Sequence, residues 1–427
     1  MEIKENCLQS LAGKFLRAYD ILRKSDDFKE IGTCSVLFVC HDVDRGIDMS
    51  GLAFSPLIDP IRLNLEKIGF DSAVVAQPFS ILGHSKAPGS PRTINRKYLA
   101  GSIRGRFGRL FLNRKYNIAH KNLWKTILEK SKATVVVAIG SSVELGIAAN
   151  EHGVHLIELL HGYNYGEIPW GYDLRSPSQL PSTILSLDDK STETFSKLST
   201  FKNFCITVKN PWYEYLLNGD DNYDSDFESF RTMQKFLIDQ KGKDKKLIVV
   251  CLQWGYGKGE IFDGVFRNGL FPEQIESLLI DQESNELWIF RLHPVQVRED
   301  RYKADREYLA EFTDKFSNAF SYEVQMLPLP MVLEIADAHL SPASGSTAEA
   351  LSLGVPCLFF DTKSQAFEEV KCAYEDELER QTTNFWDGEI NYFRDWIISA
   401  SKYKPIVSDE YVDVTDFISS LINKRSF

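Results

Sequence analysis

The chain has 427 residues, 43% hydrophobic and 26% charged, and its 49 Lys and Arg against 60 Asp and Glu give a formal net charge of −11. That composition excludes a disordered or collagen-like chain, and the length is that of two or three ordinary domains. The acidic balance argues against a general nucleic-acid binder, and no run approaches the roughly 20 apolar residues of a membrane-spanning helix.

In chain order, MEIKENCLQSLAGKF lacks the apolar core of a signal peptide. The seven cysteines (Cys7, Cys34, Cys40, Cys205, Cys251, Cys357, Cys372) are odd in number and form no Cys-x-x-Cys pair. Free thiols in a reducing, cytoplasmic protein are expected. Short apolar runs then alternate with helix-like stretches: strands at Ser35–Cys40, Ser72–Ala76, Thr134–Ile139, His155–Leu160, Thr183–Leu187 and Phe204–Val208, and helices at Leu57–Ile68, Lys121–Lys130, Ser142–His152 and Lys190–Leu198. Strands that are apolar on both faces fit a parallel sheet covered by helices on either side. Residues 216–246 are turn-rich and charged and read as a linker carrying one helix, Ser225–Asp239.

A second series follows, with strands at Leu247–Leu252, Glu286–Arg291, Tyr322–Met326, Ala338–Ser341 and Pro356–Phe360. Helices are predicted at Pro272–Asp281, Ala304–Phe316, Met331–Ala336 and Thr347–Leu353, and the stretch from Ser364 onward is mainly helical. The expected fold is α/β: two Rossmann-like domains facing across a cleft, with a helical C-terminal tail. The boundaries are 1–215, linker 216–246, 247–400, and a helix in 401–427 that crosses back toward the first domain.

One segment breaks the charge average. From Ser72 to Leu128 there is no Asp or Glu, while 11 Lys and Arg fall in the window, so the rest of the chain carries −22. Arg104, Arg106 and Arg109 lie there among Leu99, Ile103, Phe107 and Leu110 at helical spacing. They fit either a membrane-surface or anionic-acceptor contact, or a solvated face balanced by acidic residues elsewhere in the fold.

Chemistry-bearing residues gather at predicted strand ends. Arg291-Leu292-His293-Pro294 follows one strand, and Ser341-Pro342-Ala343-Ser344-Gly345-Ser346-Thr347-Ala348-Glu349 ends another and opens a helix. Ser344, Gly345, Ser346 and Thr347 suit a phosphate at a helix start, and Glu349, three residues after Ser346, equally fits a capping box with no ligand. Gln253, Gly255, Tyr256 and Lys258 lie in a glycine-rich turn that is not a P-loop and either lines a ligand or is a plain loop. In the first half, His161 follows Glu158-Leu159-Leu160 and precedes Gly162, a placement that suits a general base. Asp42 and Asp44 follow the first strand as alternative bases, or as turn and cap residues.

The run from His293-Pro294 through Glu349-Ala-Leu-Ser-Leu-Gly-Val-Pro-Cys357 to Asp361 resembles the nucleotide-binding half of GT-B glycosyltransferases. It is most like the bacterial surface-polysaccharide group that includes CMP-sialic acid and CMP-Kdo transferases. Glu158-x-x-His161-Gly162 is similar to an element of capsule and lipopolysaccharide transferases, and more distantly to one of UDP-GlcNAc 2-epimerases. Val208-Lys209-Asn210-Pro211 resembles the Gly-Asn-Pro turn before the linker, with Lys209 in place of the glycine. The resemblance implies transfer of a sugar from a nucleotide-activated donor, CMP-linked or UDP- or GDP-linked, to a glycan or lipid-linked acceptor in surface polysaccharide synthesis. It implies that Arg291, His293, Ser344, Gly345, Ser346, Thr347 and Glu349 face the donor, and the glycine-rich turn would add Gln253, Gly255, Tyr256 and Lys258 unless it is a plain loop. His161, or Asp42 or Asp44, would act on the acceptor. No metal, no cofactor and no nucleic-acid partner are expected, and peripheral contact with the inner membrane would suit a lipid-linked acceptor. A sugar-nucleotide epimerase or hydrolase on the same frame, or a glycan-binding protein without catalysis, are the rival readings.

Overall fold

The computed structural model describes residues 26–80, 82, 86–112, 116–199, 204–217, 225–280, 285–321, 324–342, 344–403 and 411–425, with the side chains of 106–112, 225–226 and 425 outside that description. The chain divides into two compact units, the first running to Tyr215 and regaining the C-terminal helix, the second running from Leu216 to Asp409.

The first unit is built on a six-stranded, all-parallel sheet of order β4-β1-β5-β6-β7-β8. Its strands are β1 Val36–Cys40, β4 Ser72–Ala76, β5 Val135–Ala138, β6 His155–Leu159, β7 Thr183–Ser186 and β8 Cys205–Thr207, and a small antiparallel hairpin joins β2 Ile47–Met49 to β3 Leu52–Phe54. Residues of β1 and β5 are buried throughout because helices cover both faces. On one side lie Ile58, Ile61 and Leu65 of the helix Ile58–Lys67, together with Val414, Ile418 and Ile422 of the helix Val414–Arg425. On the other lie Leu123, Trp124 and Ile127 with Leu145 and Ala148. The returning C-terminal segment is anchored by a parallel bridge between Val412 and Val208.

The second unit repeats the plan with a parallel sheet of order β11-β10-β9-β12-β13-β14. The strands are β9 Lys246–Cys251, β10 Glu286–Arg291, β11 Ala319–Phe320, β12 Ala338–Ser341, β13 Cys357–Phe359 and β14 Thr383–Phe385. Trp288, Phe290, Phe271, Phe312, Trp386 and Phe393 form a buried aromatic core against it. The helix read into the linker is Ser225–Lys241, and it packs on this unit: Gln234 Nε2 donates to Met331 O at 2.8 Å, and Lys241 Nζ pairs with Asp337 at 2.6 Å.

Two local expectations change. The edge strand is Ala319–Phe320, paired with Trp288 and Ile289; of the strand expected at Tyr322–Met326, residues 322 and 323 lie outside the described residues, and 324–326 are not strand. The backbone of residues 324–325 is met by a side chain instead: Arg291 donates to Val324 O at 2.7 Å and to Gln325 O at 3.4 Å, while Gln325 Oε1 accepts from Leu292 N at 3.0 Å. Thr383–Phe385, read as part of a helical tail, pairs in parallel with β13. Among the described residues no helix is long and apolar enough to cross a membrane.

Candidate active site

In the second unit the sheet order places the loops after β10, β9 and β12 side by side at the carboxyl edge, where ligands bind in open α/β sheets. Arg291 and Cys251 are register partners at that edge. Ser346 bonds the Cys251 thiol, and the charges of Arg291 and Glu349 both act on it. The structure thus brings Arg291, Ser346 and Glu349 together around one strand end.

His293 caps the short helix Pro294–Arg298: its Nδ1 accepts from Val295 N at 3.1 Å, while its backbone N–H donates to Gln296 Oε1 at 3.1 Å. With Nδ1 occupied as an acceptor, the neutral ring carries its proton on Nε2. Burial, with a smaller push from Arg298, holds the His293 pKa below its ordinary value. His293 is therefore a neutral N–H donor, able to stabilise an anionic oxygen without supplying a proton.

The capping box foreseen for Ser346 and Glu349 does not form. The cap of the helix Ser346–Ser352 is Gly345, with no side-chain bond to the helix end. Ser344 Oγ accepts from Ser346 N at 3.3 Å, and the buried Thr347 hydroxyl pairs with that of Ser341 at 3.0 Å. Thr347 is thereby a brace inside the loop, while Ser344, Ser346 and Glu349 are only half-buried.

The glycine-rich turn after β9 is ordered from within. Gly255 N and Gly257 N both donate to Glu260 Oε2 at 3.0 Å, and Gly255 holds φ +102, a conformation that side chains rarely adopt. Gln253 Oε1 is buried without a hydrogen-bond partner, and Lys258 is exposed. Tyr256 is not placed to touch a donor. It is 1% exposed, its hydroxyl donates to Asp361 Oδ2 at 2.6 Å, and its ring stacks on Phe266. Arg291 likewise has its guanidinium committed to the carbonyls of Val324 and Gln325, so it supports the edge from beneath. Beside this edge opens a cavity of about 450 Å³ lined by Phe266, Arg267, Gln274, Phe360, Thr362 and Lys363 among others. Its size suits a small-molecule site, roughly 300–1,000 Å³. These lining residues carry no motif; only their place after β9 and β13 marks them.

In the first unit the loops after β1, β5 and β6 share one carboxyl edge. Asp42 is spent on that edge's own structure, accepting from Ser80 Oγ at 2.6 Å and Leu82 N at 3.2 Å. Asp44 accepts from His41 N at 3.2 Å; burial pushes its pKa up, and the His161 imidazole is the largest influence pulling it back. Asp44 and His161 thus occupy one neighbourhood, and Asp42 is turned into the loop. His161 is exposed, and its ring stacks on Trp170 with centroids 5.5 Å apart and planes at 26°. Trp170 is 50% exposed at φ +58, a costly backbone state for a bulky residue. Glu158, 1% exposed on β6, accepts from Gly140 N at 2.6 Å and Ser141 N at 2.8 Å, which ties the β5 loop to the strand that carries His161.

Arg104 is exposed on the helix Asn95–Leu112; Arg106 and Arg109 lie on the same helix, with side chains outside the described residues.

No protein-family model matches the chain, and no curated protein sequence is similar to it. Solved structures are similar. The UDP-GlcNAc 2-epimerase of Methanocaldococcus jannaschii superposes with a TM-score of 0.51 at 13% identity, over 92% of this chain and 99% of that one. The same enzyme in complex with UDP-GlcNAc and UDP gives 0.50 at 13% identity over 92% and 99%. The wall teichoic acid polymerase TagF is similar at a TM-score of 0.47 and 14% identity, over 99% of this chain and 97% of that one. At such identities the likeness establishes the fold, which is the two-domain GT-B type with parallel α/β sheets, and leaves the reaction to the site.

Proposed function

We propose that the chain is a GT-B glycosyltransferase that moves a sugar from a nucleotide-activated donor to a glycan or lipid-linked acceptor in surface polysaccharide synthesis. The observation that carries this reading is the convergence on one sheet edge of the neutral His293 donor, the half-buried hydroxyls of Ser344 and Ser346, and Glu349. Donors fixed in place before substrate arrives stabilise the charge that grows on a leaving phosphate, with no proton transfer required. Gly345, Gln253, Gly255 and Lys258 would complete the donor contact, and the adjacent cavity would take the sugar or the base. Arg291, Thr347 and Tyr256 hold these groups in place.

The first unit would supply the base. His161, in the neighbourhood of Asp44 and with Trp170 stacked on it, is the group to accept a proton from the acceptor hydroxyl. A basic helix carrying Arg104, Arg106 and Arg109 would suit an acceptor with a lipid phosphate at a membrane surface.

The second reading, favoured by the fold-level likeness to the M. jannaschii enzyme, is a sugar-nucleotide epimerase, with a hydrolase as its close variant. Product analysis separates them: glycosylated acceptor supports transfer, an epimerised nucleotide sugar or free sugar supports the second reading. His161→Ala is expected to abolish turnover and leave nucleotide affinity within about threefold. Unchanged turnover would remove His161 from the chemistry.

A further inference from the structure

The Ser346 hydroxyl has a fully buried neighbour in the strand beneath it. His339 lies on β12, is 0% exposed, and its Nε2 is 3.0 Å from Ser346 Oγ. Its other ring nitrogen, Nδ1, is buried without any hydrogen-bond partner.

From this geometry we infer that His339 is a positioning residue for the proposed donor site, donating from Nε2 to Ser346 Oγ so that the Ser346 hydroxyl hydrogen turns outward, toward an anionic oxygen of a bound nucleoside phosphate. The inference rests on the reading of Ser346 as a donor contact.

A neutral imidazole has two tautomers, and the orphaned Nδ1 decides between them. If Nδ1 carried the proton, a buried N–H would go unsatisfied, and such donors are rare in folded proteins; a bare nitrogen lone pair is the cheaper orphan. The proton therefore sits on Nε2 and points at Ser346. Burial holds the ring neutral, with its pKa lowered to about 3, so the tautomer is the same across the physiological range. Cys251 also meets this hydroxyl, and burial pushes its pKa up to about 11, which keeps it a thiol. Ser346 Oγ thus accepts from His339, and its own hydrogen, which otherwise rests on the weakly accepting Cys251 sulfur, is available to a stronger anionic acceptor. In the opposite tautomer Ser346 would donate inward and present lone pairs to a phosphate, which repels them.

The test is a double-mutant cycle with CMP, UDP, GDP and CDP on the full chain, using the nucleotide that binds the wild type and its matching nucleoside. His339→Leu removes the donor, and His339→Gln keeps an amide N–H near the position of Nε2. Expected are a loss of about tenfold in nucleotide affinity for H339L, no loss for the nucleoside, and recovery to within about threefold in H339Q. H339L combined with Ser346→Ala should bind no more weakly than S346A alone, since both remove one interaction. A roughly hundredfold loss in the double variant, or wild-type affinity in H339L beside a loss in S346A, overturns the inference and leaves the donor reading standing. If none of the four nucleotides binds the wild type, reading and inference fall together. Urea midpoints identify a variant that is merely unfolded; if H339L is unfolded, a tenfold loss in folded H339Q overturns the inference and wild-type-like affinity supports it.

Discussion

Replacing His339 by Gln should flatten the acid dependence of stability. In the folded chain the imidazole is fully buried on β12 and its pKa falls from 6.5 to about 3 through desolvation alone, whereas in the unfolded chain it titrates near 6.5. A group whose folded pKa is depressed leaves stability intact above its unfolded value and removes it as the pH falls, because the unfolded state then binds a proton that the folded state refuses. Between pH 7 and pH 5 the loss from this one group works out at about 2 kcal/mol, and it grows toward pH 3. Gln does not titrate and keeps an N–H for Ser346. Urea unfolding at pH 7, 6 and 5, followed through the buried Trp288 and Trp386, measures the difference directly. With an m-value of roughly 2–3 kcal/mol per molar, the midpoint gap between wild type and H339Q should shift by about 0.7–1 M over that range. Parallel curves with a constant gap would refute the burial argument for this residue.

Further outcomes follow from other parts of the fold. Arg45 and Asp59 form a buried pair at 2.8 Å, and Arg62 reaches the same carboxylate only at 3.6 Å, so Arg45→Met should cost about 3 kcal/mol by leaving it poorly compensated. A midpoint within error of wild type would contradict it. Lys132 ends the helix Ile118–Ser131 at φ +51, and Lys132→Gly should raise stability by up to about 1 kcal/mol in the same assay; a lowered midpoint would show that the cap is not strained. Neutralising Arg104, Arg106 and Arg109 together should reduce activity on a lipid-linked acceptor more than on a soluble analogue. Equal losses would return that helix to a solvated face.

Strand positions were legible because buried parallel strands are apolar on both faces, and runs such as Val135–Ala138 are short, β-branched and without in/out alternation. Tyr322–Met326 has strand composition, yet the edge strand is Ala319–Phe320, because the Arg291 side chain, from a distant position in the chain, takes the carbonyls of Val324 and Gln325. The same long-range effect separates ligands from supports at the candidate site. Nothing local marks Tyr256 as a partner of Asp361, 105 residues away, or Asp42 as a partner of Ser80, 38 residues away. His339 sits inside an apolar strand, and only the fold brings it beneath Ser346. Strand ends and glycines point to a site, while hydrogen bonds between loops decide which of its residues face outward.

On the proposed reading, the carboxyl edge of the second sheet is a nucleotide site. Titration calorimetry of the full chain with CMP, UDP, GDP and CDP tests it most directly. Binding of at least one nucleotide, weakened tenfold or more by Ser344→Ala with Ser346→Ala, is the predicted result. No binding of any of the four at millimolar concentration, or an affinity indifferent to both serines, would contradict it.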